Sequence, residues 1–289
     1  MTICKKYNKT WLHVVKTIGV TEMLNYIKRS ISRLYNILSV LIFYINGENK
    51  RNRKKLGKLK NSYLGKRIFI ICNGPSLRAE DLQKIYKNGD ISIAMNAIAR
   101  IYNQTLWRPT FLSLTDDIVF TRKNTEICRT CECKYKFYDR SRYLKSLNSK
   151  GKKFYLGFNE SYKLLDEPIF DPDATKMMPS IGTSAYACIE FAVFLGCSEI
   201  YILGCDMSYA VNITRDGKIY YNESGKEHFY GTKYEDIKTS NIAPVPIWQL
   251  EVAFDTAAKY AKENNIKIYN ATRGGKLESF PRVEFDNLF

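Results

Sequence analysis

Several common sequence signals are missing from this chain. No G-x-G-x-x-G and no G-x-x-x-x-G-K-S/T motif occurs in it, which argues against an ordinary dinucleotide fold and against a Walker nucleotide site. The first residues lack a basic stretch followed by an apolar run and a small-residue cleavage site, so no secretory signal is expected. The sequence therefore predicts a cytoplasmic protein.

Acidic residues are scarce at the N-terminus. Residues 1–67 hold 16 Lys and Arg but only Glu22 and Glu48, a net charge of +14, whereas the whole chain carries +16. The basicity thus belongs to an N-terminal segment. We predict a basic segment over residues 1–65 and a nearly neutral catalytic domain over residues 66–289.

The N-terminal segment contains an amphipathic helix. Apolar residues recur at alternating steps of three and four, which places them on one helical face. They are Leu24, Ile27, Ile31, Leu34, Leu38, Leu41 and Ile45. The most apolar stretch covers residues 37–45, far short of the roughly 20 needed to cross a bilayer.

A polybasic run follows this helix from Lys50 to Lys60. An apolar face and a polybasic patch together favour peripheral binding to an anionic membrane, here its inner face. Two alternatives remain: the helix packs on its own domain, or it pairs as a short coiled coil. Nucleic-acid binding is disfavoured because the run lacks interleaved aromatics and no zinc-finger or RNA-recognition signature is present.

The domain alternates short apolar runs with helical patterns. The predicted strands cover residues 67–72, 91–95, 111–114, 153–156, 199–203 and 267–269, and the predicted helices cover 77–85, 184–195 and 248–263. This order predicts an α/β fold with a doubly wound, Rossmann-like, mostly parallel sheet. Residues 207–247 show neither period and are interpreted as a lid insertion.

Polar residues follow several of the predicted strands. Asn73-Gly74-Pro75-Ser76 forms a turn in which Gly allows a tight bend, Ser76 caps the next helix and free amides attract phosphate. A turn without a ligand is the alternative. Other strand ends and one helix start carry Asn96, Thr115, Asp116, Asp117, Thr183, Ser184, Gly204 and Asp206. These residues predict one crevice at the carboxyl edge of the sheet.

Histidine and cysteine add few candidates. The chain has two histidines, His13 in the basic segment and His228 in the predicted lid. His228 is a candidate general base or phosphate partner, with a structural hydrogen-bonded role as the alternative. Cys128, Cys131 and Cys133 lack a second C-x-x-C and a nearby histidine, so no metal site is predicted.

The order of these motifs resembles a known group of enzymes. Asn73 to Leu77, Asn96, Thr183-Ser184, Glu199 to Asp206 and His228 to Gly231 follow one another as in the bacterial CMP-sialic-acid-dependent sialyltransferases. The same order resembles the broader 6-hydroxymethylpterin diphosphokinase MptE-like proteins, whose tail is similar to residues 269–277. The resemblance covers about residues 66–289.

The resemblance implies roles for individual residues. Asn73, Gly74, Ser76 and Asn96 would line the nucleotide phosphates, Thr183 and Ser184 would face the sugar carboxylate and cytidine, and Asp206 would lie beneath the nucleotide. Such enzymes are metal-free, invert the anomeric centre and use a histidine base with tyrosines on the leaving phosphate. Here Thr232 stands at the position of the family's catalytic histidine, and His228 aligns with an earlier histidine of the family pattern. Ser208 stands at the position of a tyrosine that contacts the leaving phosphate. The adjacent Tyr209 and also Tyr230 are candidate substrate-binding residues.

These observations lead to one expected function and two alternatives. We expect a glycosyltransferase of cell-surface polysaccharide or lipopolysaccharide assembly that uses CMP-sialic acid or a related acidic sugar, a glycan or glycolipid acceptor and no cofactor. The first alternative is an ATP-dependent pyrophosphokinase with Mg²⁺ on Asp116, Asp117 and Asp206. The second is a nucleic-acid-binding protein that uses the basic N-terminus. The oligomeric state is left open.

Overall fold

The computed structural model describes residues 20–116, 131–159, 167–209, 211–221, 228–231 and 246–289. Its helices are α1 (Val20–Ile45), α2 (Glu48–Gly57), α3 (Ala79–Lys87), α4 (Tyr143–Ser146), α5 (Ser184–Phe194) and α6 (Ile247–Glu263). Its strands are β1 (Arg67–Ile71), β2 (Ile91–Met95), β3 (Phe111–Leu114), β4 (Tyr135–Asp139), β5 (Lys152–Asn159), β6 (Met177–Pro179), β7 (Glu199–Leu203), β8 (Val211–Ile213), β9 (Ile219–Tyr221) and β10 (Lys267–Asn270). Short 3₁₀ helices cover Asn96–Gln104, Arg140–Arg142 and Phe285–Leu288.

Eight strands form one parallel sheet in the order β10-β7-β1-β2-β3-β4-β5-β6. The chain adds strands from β1 to β6 in one direction and then returns to place β7 on the other side of β1. This order confirms the predicted Rossmann-like α/β class. It also makes the β1–β7 boundary a topological switch point, where open α/β sheets form a crevice.

The sheet is covered on both faces. Ile68 and Ile70 of β1 pack into one apolar cluster with α5 and α6, whereas Phe69 and Ile71 pack into a second cluster with α3 and Phe43 of α1. Because successive side chains of a strand point to opposite faces, a strand buried on both sides must be apolar throughout. The continuous apolar runs of the central strands therefore allowed these strands to be predicted from the sequence.

The N-terminal helices pack on the domain through polar and buried side chains. Asn52 of α2 bonds both backbone groups of Tyr155 in β5, donating to its carbonyl at 2.7 Å and accepting from its amide at 2.9 Å. In α1, Ser39 and Phe43 are fully buried. The seven residues of the predicted apolar stripe do not take part in this packing, since between 37% and 81% of the surface of each is exposed.

Contacts between the N-terminal helices and the rest of the chain therefore cross the predicted boundary between residues 65 and 66. The division into two domains at this boundary stays a prediction. The alternative that the helix packs on its own domain holds for the side of α1 that carries Ser39 and Phe43, but not for the apolar stripe. Among the described residues, no helix is both long and apolar enough to cross a membrane.

The predicted lid over residues 207–247 is only partly described. Strands β8 and β9 form an antiparallel hairpin within it, although the sequence showed no strand period there. The segment 228–231 contacts the domain, since the Phe229 amide donates to the carbonyl of Asn73 at 2.8 Å. Residues 222–227 and 232–245, which include the candidate Thr232, lie outside the described residues.

Candidate functional site

The turn after β1 lies against the loop after β7 at the switch point. The Gly74 amide donates to the carbonyl of Gly204 at 2.8 Å. A Cβ on Gly74 would fall on Oδ2 of Asp206 and come within 2.5 Å of that carbonyl oxygen. Only glycine fits here, because the two loops approach more closely than a side chain allows.

Ser76 and Asp206 connect the same two loops. The Ser76 hydroxyl donates to Oδ2 of Asp206 at 2.9 Å, and the Ser76 amide donates to the same oxygen at 3.4 Å. Burial raises the pKa of Asp206, and the two bonds from Ser76 oppose that shift. This carboxylate thus holds the turn in position.

Two expectations for the turn were wrong. Ser76 does not cap the following helix, because α3 begins at Ala79 and no side chain caps it. The turn amides are not free, since those of Gly74, Ser76 and Leu77 all donate to protein acceptors. Pro75 is half-buried in the turn. A phosphate on this turn would have to displace existing hydrogen bonds.

Two buried asparagine oxygens lie near this turn. Asn73 donates through Nδ2 to the carbonyl of Met95 at 3.1 Å, which links the ends of β1 and β2. Asn96 has a left-handed backbone with φ of 52°, a conformation that asparagine tolerates. Within the described ranges, Oδ1 of each receives no hydrogen bond. Hydroxyl or amino groups of a ligand, rather than phosphate oxygens, suit these acceptors.

The hydroxyls after β3 and before α5 form a second group. Ser184 Oγ lies 3.2 Å from Thr115 Oγ1 and accepts from Asn96 at 3.4 Å. Thr183 caps α5 by accepting from the Ala185 amide at 3.3 Å. Because this 11-residue helix points its N-terminus at the sheet edge, its dipole favours an anion there.

His228 lies in a mixed aromatic and charged cluster. Its ring centroid is 4.8 Å from that of Tyr230, and the Arg100 guanidinium lies 4.8 Å from the Tyr230 ring centroid. Burial lowers the pKa of His228, the Asp116 carboxylate opposes this shift and Arg100 adds to it. The imidazole is therefore mostly neutral at pH 7 and can accept a proton.

The remaining candidates do not extend this arrangement, apart from Asp116, whose carboxylate acts on the charge of His228. Tyr209 is partly buried and packs against the apolar cluster on the α5 side of the sheet. Asp116 is exposed, Oδ2 of Asp206 is bonded to Ser76, and Asp117 and Cys128 lie outside the described residues. Across the described residues, no three His, Cys, Asp or Glu side chains converge as metal ligands.

A cavity of about 910 Å³ opens beside the Thr115–Ser184 group. Its walls come from the ends of β3, β4, β5 and β6, the start of α5 and one side of α1. Two buried arginines that the sequence interpretation missed, Arg140 and Arg142, line it. They follow β4. Because this strand was not predicted, the two arginines could not be recognised as residues at a strand end.

These features define an α/β protein with a group of polar side chains at a topological switch point and a cavity along the same sheet edge. The model of the family described as 6-hydroxymethylpterin diphosphokinase MptE-like matches residues 44–212, more than half of the chain. The protein belongs to this MptE-like family. The match begins within α1, which the earlier resemblance had excluded.

Comparison with individual proteins adds little. A search of curated proteins found no match. A solved structure, the MAf glycosyltransferase from Magnetospirillum magneticum AMB-1, is similar with a TM-score of 0.48 and 14% identity, over 83% of this chain and 39% of that one. The chain thus spans less than half the length of that protein.

Proposed function

We propose that this protein transfers a sugar from a nucleotide-activated donor, with a CMP-linked acidic sugar as the first choice. The observation that carries the proposal is the meeting of three features at one sheet edge. They are the unfilled acceptors of Asn73 and Asn96, the N-terminus of α5 with Thr115 and Ser184, and the neutral imidazole of His228. Acceptor oxygens suit nucleoside or sugar hydroxyls, and the helix terminus suits phosphate.

In the proposed reaction, the bond between the anomeric carbon and the donor phosphate oxygen breaks. A hydroxyl oxygen of the acceptor bonds to the same carbon, and its proton passes to His228. The nucleotide leaves with the electron pair of the broken bond, and the α5 terminus stabilises its phosphate. Asp206 acts as a positioning residue because it holds the Gly74 turn through Ser76.

The second candidate is a diphosphokinase acting on ATP and a pterin alcohol. It is favoured by the name of the family to which the chain belongs. The two reactions release different products, CMP from a CMP-sugar and AMP from ATP, and kinases of this kind need Mg²⁺.

The deciding experiment incubates the full chain with CMP-N-acetylneuraminic acid or with ATP, and measures nucleotide release in EDTA and in Mg²⁺. We expect CMP release that persists in EDTA and increases with a glycan acceptor. AMP formation that requires Mg²⁺, without release of CMP, would replace the proposal by the diphosphokinase.

We also propose that α1 and α2 bind the protein to an anionic membrane. The apolar stripe of α1 is exposed, as are Lys50, Arg51, Arg53, Lys54 and Lys55 of α2. An exposed apolar face beside a row of cations matches the chemistry of an anionic bilayer surface. Each cation near such a surface adds about 1 kcal/mol of attraction. This would place the enzyme at the cytoplasmic face of a membrane, next to a glycolipid acceptor.

A further inference from the structure

Arg140 is a buried cation whose side-chain contacts are all neutral. It is 7% exposed and lies directly after β4, on the wall of the 910 Å³ cavity. Its Nη1 donates to the Tyr44 hydroxyl at 3.2 Å and to the Met177 sulfur at 3.4 Å, and its Nη2 donates to the Lys176 carbonyl at 3.4 Å. Among the described residues, Nε of Arg140 has no acceptor.

A buried guanidinium facing only neutral acceptors is energetically unfavourable. Removing an arginine from water costs several kcal/mol unless a carboxylate or phosphate compensates its charge. All contacts of Arg140 are longer than the usual charge-assisted bond of about 2.7–2.9 Å. The side chain therefore lacks a partner of the kind that would stabilise it.

The surrounding structure keeps space for this guanidinium. A Cβ on Gly157 of β5 would come within 2.8 Å of Cζ and 2.9 Å of Nη1 of Arg140. Helix α1 turns polar groups towards the cavity, where Asn36 accepts from Nη1 of Arg142 at 2.7 Å and Tyr44 accepts from Arg140. The cation is thus held by both the sheet and α1.

The cavity as a whole is also cationic. Its walls carry three guanidinium groups, from Arg33, Arg140 and Arg142, against the carboxylates of Asp116 and Asp139. Asp139 accepts the Ser141 amide at 2.6 Å and caps the 3₁₀ helix that contains Arg140. The N-terminus of α5 opens into the same space and adds positive potential.

We propose that this cavity is a subsite for an anionic group of the substrate, with Arg140 as its central ligand. The anion is a carboxylate or a phosphate, since both fit a guanidinium fork. The assignment of the carboxylate to an acidic donor sugar rests on the proposed function. The presence of an anion site does not depend on that function.

The test titrates the full chain calorimetrically with four probes: N-acetylneuraminic acid, its uncharged methyl ester, inorganic phosphate and CMP. We expect the acid or phosphate to bind and the methyl ester not to bind. Binding of the acid identifies a carboxylate site, and binding of phosphate alone identifies a phosphate site. The CMP titration reports separately on the proposed function, which can fail while the anion site stands.

Two variants keep the test decisive. Arg140→Met should weaken anion binding about 10- to 100-fold without lowering the melting temperature, because it removes an uncompensated buried charge. Gly157→Ala retains that charge but crowds both the Met177 sulfur and the Arg140 guanidinium, and should also weaken binding. The control is Lys262→Met, on the exposed surface of α6. Equal anion affinity in wild type and both cavity variants, or no saturable binding of either anion, would overturn the proposal.

Discussion

Single residues at the sheet edge divide into those that hold the loops together and those whose buried acceptors lack a partner. Gly74, Ser76 and Asp206 are joined to each other and hold two loops together. Asn73 and Asn96 present oxygens that receive no hydrogen bond within the described chain. Because a buried unpaired acceptor costs about 1–3 kcal/mol, a ligand that donates to these oxygens would recover part of that energy.

His228 is expected to limit turnover as a base. His228→Ala should lower kcat about 100- to 10,000-fold, the usual contribution of general base catalysis. His13→Ala is the control, since it removes the other histidine of the chain. Turnover of His228→Ala close to wild type in the nucleotide-release assay would show that another group takes the proton.

The pH dependence of the same reaction follows from the lowered pKa of His228. A base acts in its neutral form, so activity should fall only when the pH drops below that pKa. As burial lowers the pKa from 6.5, the acidic limb of kcat/KM should lie below pH 6.5. The limb should vanish in His228→Ala. A limb above pH 6.5 would contradict this assignment.

At the scale of elements, α1 presents two sides of different character. Its inner side packs through Asn36, Ser39 and Phe43, and its outer side exposes the apolar stripe. This division explains how the helix can be part of the domain and still retain an unused apolar face. The face is available to a membrane without any rearrangement of the domain.

Membrane binding by α1 is tested with the variant Leu34→Asp/Leu38→Asp. Both leucines are about half to two-thirds exposed, so the fold should persist. We expect co-sedimentation with phosphatidylglycerol vesicles to fall at least about tenfold, because two apolar side chains no longer enter the bilayer. Leu106→Asp, at a 70% exposed leucine outside α1, should bind as wild type does.

Three results would contradict this membrane account. They are unchanged vesicle binding by the double variant, equal binding to uncharged phosphatidylcholine vesicles, and a wild-type dimer that the double variant converts to a monomer. The last result would assign the stripe to a second copy of the chain.

Helix α5 carries a buried carboxyl that makes stability depend on pH. Glu190 is fully buried, and burial raises its pKa well above 4.5. Its Oε1 accepts from the Asp171 amide at 3.2 Å. Between pH 4.5 and the raised pKa, the folded protein binds more protons at this site than the unfolded chain. The free energy of unfolding therefore decreases as pH rises through this range.

Glu190→Gln should remove this decrease while keeping an acceptor for the Asp171 amide. Urea unfolding at pH 5, 7 and 9 should show the variant gaining stability over wild type as pH rises. Glu251→Gln, at an exposed position of α6, serves as the control. A stability difference that stays constant with pH would contradict a raised pKa.

At the scale of the whole molecule, the central sheet followed from the sequence. Strands β1, β2, β3 and β7 are apolar because they are covered on both faces, and polar residues mark their ends. Strand β4 was not predicted because Lys136 interrupts its apolar pattern, although that lysine is buried and donates to Ser149 at 3.3 Å. Strand β6, which was also not predicted, has only three residues.

The cavity and its arginines could not be predicted for a different reason. They depend on α1 docking through Asn36, Ser39 and Tyr44, polar residues that a search for apolar periodicity passes over. Contacts between distant parts of the chain decide this docking. The free amides assigned to the turn were likewise an assumption about tertiary hydrogen bonds, and the structure shows them occupied.

The most direct test of the account is a calorimetric titration of the full chain with CMP in EDTA, together with ATP in Mg²⁺. The titration includes Gly74→Ala, which forces apart the loops after β1 and β7, and Asn73→Ala, which leaves the Gly74 turn intact. Gly57→Ala is the control, because a Cβ there meets nothing within 4 Å.

We predict that wild type and Gly57→Ala bind CMP without metal, and that the two site variants bind it at least about tenfold more weakly. Binding of ATP in Mg²⁺ with no binding of CMP, or CMP affinity unchanged in both site variants, would contradict the account.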